Sequence, residues 1–376
     1  MVQGANWSPR VVIVSLFEAP LALASPVAAS DRTHDVRRSL FLRVEHDGIG
    51  GFGECAVAEE PGPDATTPEV VDALLKRVLD LAFASSRVPG LPASHSIAAK
   101  TAGTPAAAAA GGLVEAALLD RELRRDGVAL AAALGSAALD VGFAGVVGVE
   151  RDLGLVRDRA AALVALGATR LRVKIAPSSG LDAVLAVLDA VHVPVVADAN
   201  GGLHEERDRV LIDALCGLPL AWLEQPFAAG DLASHAILAQ RGSVPIGLDE
   251  SVRSARAVRD IARYGAATVV CLKPARLGGV ARTRDVMAAA IEAGLRPYVG
   301  GYFEAGLGRA VLGALSSLPP GGLDGDVAAP CTYLEHDPCA LEGPFRGRQP
   351  LWSSPGCGPA PVATALRLVE ERTYAT

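Results

Sequence analysis

From about Asp140 onward the chain repeats one unit, an apolar strand ending in a polar residue followed by a helix of about a dozen residues. The strands read as 141–147, 170–175, 193–197, 221–223, 245–248, 269–272 and 296–299. The helices between them read as 153–166, 181–191, 205–215, 231–240, 254–264 and 280–293. Each passage from strand through helix to strand needs a crossover, so the strands should be parallel. Seven or eight such units favour a closed barrel over an open doubly wound sheet. No G-x-G-x-x-G opens any of the helices, which weakens a nucleotide-binding reading.

The repeat also carries charge at a fixed place. The first polar residue at each strand end is Lys174, Asp198, Glu224, Asp249 and Lys273, at intervals of 24, 26, 25 and 24 residues. In a barrel the C-terminal strand ends converge on one mouth. The order along the chain therefore becomes a layout, with three carboxylates in the middle and a lysine on either side.

Three carboxylates at one mouth repel unless a cation neutralises them. A hard cation with oxygen ligands does so, Mg²⁺ first, with Mn²⁺ able to substitute. No histidine or cysteine accompanies the triad, which disfavours zinc. A cation held by Asp198, Glu224 and Asp249 can chelate a substrate carboxylate and stabilise the enediolate formed when the α-proton leaves. Lys174 and Lys273 are the candidate bases, provided their pKa falls to roughly 7–8. Arg172 precedes Lys174 by two residues and shares its strand face, so its fixed charge disfavours a protonated Lys174.

Each of these residues also has an ordinary reading. Asp198 and Asp249 precede helices and could be N-caps, Glu224 could be a loop residue, and a strand-end lysine is often a solvated rim charge. That reading must hold five times at one spacing. It must also consume two of only four lysines (Lys76, Lys100, Lys174, Lys273) in a chain that otherwise uses arginine.

The first 125 or so residues have another texture. Strands at 11–17, 39–45 and 50–55 are followed by helices at 67–84 and 105–125, which reads as an α+β module. The apolar start, Val11–Ala24, is broken by Glu18 and Pro20, so it reads as a strand rather than a leader peptide. No other stretch is long enough to span a membrane, and a cytoplasmic protein is expected. The six cysteines are scattered without C-x-x-C spacing and are expected to be reduced. Net charge is −7 and no basic run is interleaved with aromatics, so neither nucleic acid nor membrane is an expected partner.

At these residues the chain resembles the enolase superfamily, specifically its muconate-lactonizing subgroup. The matching stretches are Arg172-Val173-Lys174, Asp198-Ala199-Asn200, Glu224-Gln225-Pro226, Asp249-Glu250-Ser251 and Lys273-Pro274 with Gly278-Gly279. Gly300-Gly301 followed by Glu304, and Gly51-Phe52-Gly53-Glu54-Cys55, extend the likeness over nearly the whole chain. The resemblance implies a (β/α)₇β TIM-type barrel at about 126–326 under an α+β N-terminal capping domain, 1–125, completed by about 327–376. It implies substrate gripped between the cap loops and the barrel mouth, with Asn200, Glu250, Gly301, Tyr302 and Glu304 near it. A small-molecule carboxylate is the implied partner, and a homo-oligomer is possible.

Within the subgroup, Gly300–Ala310 and Arg172–Pro177 look most like o-succinylbenzoate synthase and N-succinylamino acid racemase enzymes. Arginine stands where the family has the first lysine of Lys-x-Lys, which keeps the charge. Tyr302 replaces a methionine, Val146-Val147-Gly148 replaces a serine-containing strand end, and the loop around Leu21–Ser30 lacks an aromatic-rich pattern. No histidine lies between His235 and His336, so a mandelate-racemase-like histidine base is excluded. Dipeptide epimerase and muconate cycloisomerase would use the same metal and lysines, and a non-catalytic metal-binding barrel is the alternative of another class. Glu54 either faces the site or pins the cap, and Glu304 positions the last loop or contacts substrate.

Overall fold

The computed structural model describes residues 11–28, 33–57, 64–83, 100–101, 103–177, 180–319, 322–343 and 346–375, without the side chains of 25–28, 33 and 34. Three antiparallel strands open the chain: β1 (Val11–Ala28), β2 (Thr33–His46) and β3 (Ile49–Ala56). The short β4 (Asp140–Val141) follows. The parallel strands are β5 (Ala144–Val147), β6 (Arg170–Lys174), β7 (Val195–Asp198), β8 (Trp222–Glu224), β9 (Ile246–Leu248), β10 (Val269–Leu272) and β11 (Arg296–Val299). The chain closes with β12 (Gln349–Pro350) and β13 (Arg367–Ala375).

The first sheet has the order β13-β1-β2-β3, so the last strand of the chain lies beside the first. β1 continues well past the expected end at residue 17, and Leu21–Ala28 is strand where a loop was expected; Ala29 and Ser30 lie outside the described residues. Pro20 does not stop the strand because the pairing with β13 ends at Glu18, leaving no ladder donor to lose there. Beyond it, Leu21 and Leu23 are buried in the main core, and Ala24 N–H donates to the Tyr333 carbonyl at 2.9 Å. The extension is thus held by residues some three hundred positions away.

The helix Pro105–Asp126 lies across this sheet. Thr104 Oγ1 accepts from Ala107 N–H at 3.1 Å, Pro105 suits the first turn, and Gly127 ends the helix at φ +70°. The helix rests on the glycines of β3. A Cβ on Gly51 would sit 2.3 Å from the Arg121 nitrogen, and one on Gly53 2.4 Å from the Leu113 oxygen. The alternation Gly51-Phe52-Gly53 therefore puts bare backbone toward the helix on every second residue. The helix 67–84 expected from the sequence runs from Thr67 to Phe83 with a π-helical segment, Leu74–Val78; Ala84 lies outside the described residues.

The second sheet has the order β11-β10-β9-β8-β7-β6-β5, all neighbours parallel. With its enclosing helices it fits a TIM-type barrel beneath an N-terminal capping domain. At its edges, Ala144 N–H donates to the Gly325 carbonyl at 2.8 Å, and Asp326 N–H donates to the Val299 carbonyl at 2.9 Å. Strand 141–147 is split in two at Gly142, where a Cβ would meet the Asp324 carboxylate at 2.4 Å. The helix expected at 205–215 begins only at Arg209, because His204 N–H bonds to Asp208 Oδ2 at 2.8 Å and turns the chain first. All six cysteines are unpaired, and no helix among the described residues is long and apolar enough to cross a membrane.

Candidate active site

The strand-end residues come together as the repeat requires. Along the parallel register Lys174 pairs with Asp198 and Asp198 with Glu224, so the first three stand side by side. Asp198, Glu224 and Asp249 are all completely buried. None of them caps a helix. The helices that follow them have other residues at the N-cap: Asp208 for Arg209–Cys216, Asp231 for Leu232–Gln240 and Ser254 for Ala255–Tyr264. The N-cap reading of Asp198 and Asp249 therefore has no support in the geometry.

Lys174 Nζ lies 3.0 Å from Asp198 Oδ2 and donates to Asn200 Oδ1 at 2.7 Å. At the other end of the row, Lys273 Nζ lies 2.9 Å from Asp249 Oδ2. That oxygen has no well-directed hydrogen bond, so the contact is an ion pair of poor angle. Burial alone would push Asp249 up, but the charges of Lys273 and Arg276 outweigh it and hold the carboxyl well below the usual range. Burial would likewise lower Lys273, but Asp249 raises it well above the ordinary lysine value. The expectation of a lysine near neutrality is thus reversed for Lys273 while Asp249 is its counter-ion.

Arg172 enters the barrel core beside these groups. It donates to Glu224 Oε1 at 3.0 Å, to Asp326 Oδ2 at 2.6 Å and to the Tyr298 hydroxyl at 3.1 Å. Its Nε is 3.8 Å from Asp198 Oδ2, the oxygen that Lys174 also reaches. Glu224 receives two further donors, Trp222 Nε1 at 2.8 Å and the Tyr298 hydroxyl at 2.7 Å. Gln225, at φ +35°, splints this strand end to the next: its Oε1 accepts from Asp249 N–H at 3.0 Å and Ser251 N–H at 3.2 Å.

The remaining expected residues lie around this row. Glu250 accepts from Asn200 Nδ2 at 3.1 Å, its second oxygen is buried without a partner, and burial beside Asp249 pushes its carboxyl up to about 7. Glu304 Oε1 accepts from Tyr302 N–H at 2.7 Å, and its Oε2 lies 3.2 Å from Arg309 Nη2. A Cβ on Gly301 would meet Glu304 Oε2 at 2.4 Å, so that glycine lets the loop fold over Glu304. Glu54 does not reach the row. It accepts from Ser39 Oγ, Ala305 N–H and Gly308 N–H, each at 2.7 Å, and so pins the start of the helix Gly306–Ser316 to the cap.

Several residues of the site were not anticipated from sequence. Arg276 donates to Asp249 Oδ1 at 2.7 Å, Asp64 of the cap binds Arg276 in turn, and Tyr298 and Asp326 hold Arg172. Asp326 was legible in principle, since it falls two repeats beyond Lys273.

The donor set suits a hard divalent cation. Three wholly buried carboxylates occupy neighbouring strand ends, every candidate ligand atom is oxygen, and buried oxygens of Asp249 and Glu250 lack hydrogen-bond partners. As the side chains are placed, no three His, Cys, Asp or Glu among the described residues stand together in a way that could hold a metal ion. In this arrangement the carboxylates are neutralised by Lys174, Arg172, Lys273 and Arg276.

Residues 155–358, more than half of the chain, match the family described as enolase C-terminal domain-like. The chain belongs to the enolase superfamily. An N-succinylamino acid racemase of Amycolatopsis is 33% identical over 364 residues, covering 94% of this chain and 95% of the relative. An o-succinylbenzoate synthase of Geobacillus stearothermophilus is 31% identical over 331 residues and 87% of each chain. In structure, an enolase-superfamily member from Listeria innocua matches with a TM-score of 0.87 over 98% of both chains at 23% identity, which bears on the fold alone. This chain is accordingly an enzyme of the superfamily, whose related members are lyases and racemases and generally use Mg²⁺.

Proposed function

We propose that this enzyme removes the proton α to a substrate carboxylate in a Mg²⁺-dependent reaction, as an o-succinylbenzoate synthase, an N-succinylamino acid racemase or both. The observation that carries the reading is the row itself, with an ammonium group at each end of three buried carboxylates. The relatives supporting the substrate class bear those two names.

Residues 126–326 are read as the catalytic barrel, closed by the stretch at Gly325–Asp326 that bonds both sheet edges. Residues 1–125 and about 327–376 are read as the cap. Asp198, Glu224 and Asp249 would hold the cation. When bound, it supplies the positive charge that makes a substrate carboxylate able to accept more negative charge. Lys174 is assigned as the base: Asn200 and Asp198 hold its Nζ at one end of the row. Lys273, held protonated beside Asp249, stabilises developing negative charge from the other end. A racemase needs Lys273 to exchange a proton as well, whereas a dehydrating synthase needs only its charge. Arg172 locks Glu224 in place and keeps the buried core near neutrality.

A substrate panel with Mg²⁺ tests this reading: the synthase substrate, N-succinyl and N-acetyl amino acids, dipeptides and cis,cis-muconate. Turnover is expected with the first two classes. Turnover of dipeptides or muconate alone would keep the superfamily chemistry and overturn the substrate assignment.

A further inference from the structure

Asp64 belongs to the cap, just ahead of the helix Thr67–Ala73, yet among the described residues its side-chain partners are barrel residues. Arg253 comes from the loop after β9, Arg276 from the one-turn helix Pro274–Leu277 after β10, and Tyr302 from the loop after β11. Three successive barrel loops therefore converge on one cap carboxylate. Arg276 grips it with a fork, Nε to Oδ1 at 2.8 Å and Nη2 to Oδ2 at 2.9 Å, while Arg253 Nη2 reaches Oδ1 at 2.9 Å. The Tyr302 hydroxyl donates to Oδ2. Burial would raise the Asp64 carboxyl, but the Arg276 guanidinium holds it at about 2, so the latch is charged throughout the working range.

What the latch holds is the ring of Tyr302. Lys273 Nζ lies 4.4 Å from the centre of that ring, within cation–π distance, and 2.9 Å from Asp249 Oδ2. A tyrosine side chain has two rotatable bonds before the ring, and tying its hydroxyl fixes both. We propose that Asp64 is a positioning residue through which the cap holds Tyr302 as a shield over Lys273, leaving that lysine open only toward the barrel mouth. The proposal rests on the reading of Lys273 as an active-site group. It gives the cap a part in the chemistry beyond covering substrate, because loss of one cap carboxylate frees the wall behind Lys273.

The chain has only four lysines, so amine acetylation by N-hydroxysuccinimide acetate, resolved by mass spectrometry, reads each one separately. Lys76, with its side chain 75% exposed, is the internal standard, and Lys174 reports on the rest of the mouth. In the Mg²⁺-supplemented enzyme Lys273 should label slowly. In Asp64→Ala and in Tyr302→Phe it should label roughly tenfold faster, as expected when a charge-assisted hydrogen bond that keeps a local structure closed is lost. Lys76 and Lys174 should keep their wild-type rates. Tyr302→Phe retains the ring and guards against an Asp64→Ala chain that fails to fold. Unchanged Lys273 labelling in a folded variant, or an equal rise at Lys174, overturns the proposal. Labelling needs no turnover, so its failure is separate from failure of the proton-transfer reading.

Discussion

Glu224 stands at the centre of the carboxylate row, and three donors converge on its two oxygens. Trp222 Nε1 serves Oε2, while the Tyr298 hydroxyl and Arg172 Nη1 serve Oε1. A glutamine there would turn an amide –NH₂ toward one of these donors and give up a negative ligand. Glu224→Gln is therefore expected to weaken Mg²⁺ or Mn²⁺ binding by roughly a hundredfold or more, read by titration calorimetry, while its circular dichroism stays that of the wild type. At this scale the sequence was most legible where position was periodic. Lys174, Asp198, Glu224, Asp249 and Lys273 recur at one place in each repeat, and the mouth of a barrel converts that recurrence into proximity. Asp64, Arg276 and Tyr298 carry no such periodic mark. Tyr298 points into the barrel from the interior of a strand, and Asp64 comes from a cap segment whose approach to Arg276 depends on docking.

Among the elements, the helix Pro105–Asp126 does the docking. Glu115 on this helix accepts from Val280 N–H at 2.7 Å and Ala281 N–H at 2.9 Å, so a cap carboxylate closes the N-terminus of the barrel helix Val280–Glu292. The approach is close because Gly112 has no side chain; a Cβ there would stand 2.7 Å from the Gly279 nitrogen. Backbone on the other side cannot swing away as a flexible side chain could. Gly112→Ala is expected to cost about 1–3 kcal/mol in urea unfolding, despite alanine's better helix propensity. An alanine variant as stable as wild type would mean the two segments separate freely. The strand-helix order of these elements was legible from their periodicity. The extension of β1 to Ala28 was not, because Leu21 and Leu23 are held by the distant Tyr333–Leu334 segment.

For the molecule as a whole, Glu54 and Glu115 link cap to barrel through buried carboxyls. Burial pushes each to about 7, against an ordinary value of 4.5. A carboxyl raised by folding favours the native state while it is protonated in both forms, below about pH 4.5. Between about pH 4.5 and 7 the unfolded chain ionises first, and that contribution is lost as pH rises. For Glu115 the loss amounts to about 3 kcal/mol. The stability of wild type relative to Glu115→Gln should therefore fall by that order across this window, measured by urea unfolding at stepped pH; a flat or rising difference would contradict it. Asp64 does not confound the window. Its lowered carboxyl contributes above about pH 3.8 and is lost only as pH falls through about 2.

The central claim, metal-dependent removal of an α-proton by a strand-end lysine, is tested most directly by deuterium exchange. The carboxylate turned over best in the panel is incubated in D₂O with the Mg²⁺-loaded enzyme, the metal-stripped enzyme and the Lys174→Ala variant, and exchange at its α-carbon is followed by proton NMR. The account predicts exchange or deuterium-sensitive turnover in the first sample alone, with losses of about a hundredfold or more in the other two. Wild-type rates after metal removal, or in Lys174→Ala, would contradict it.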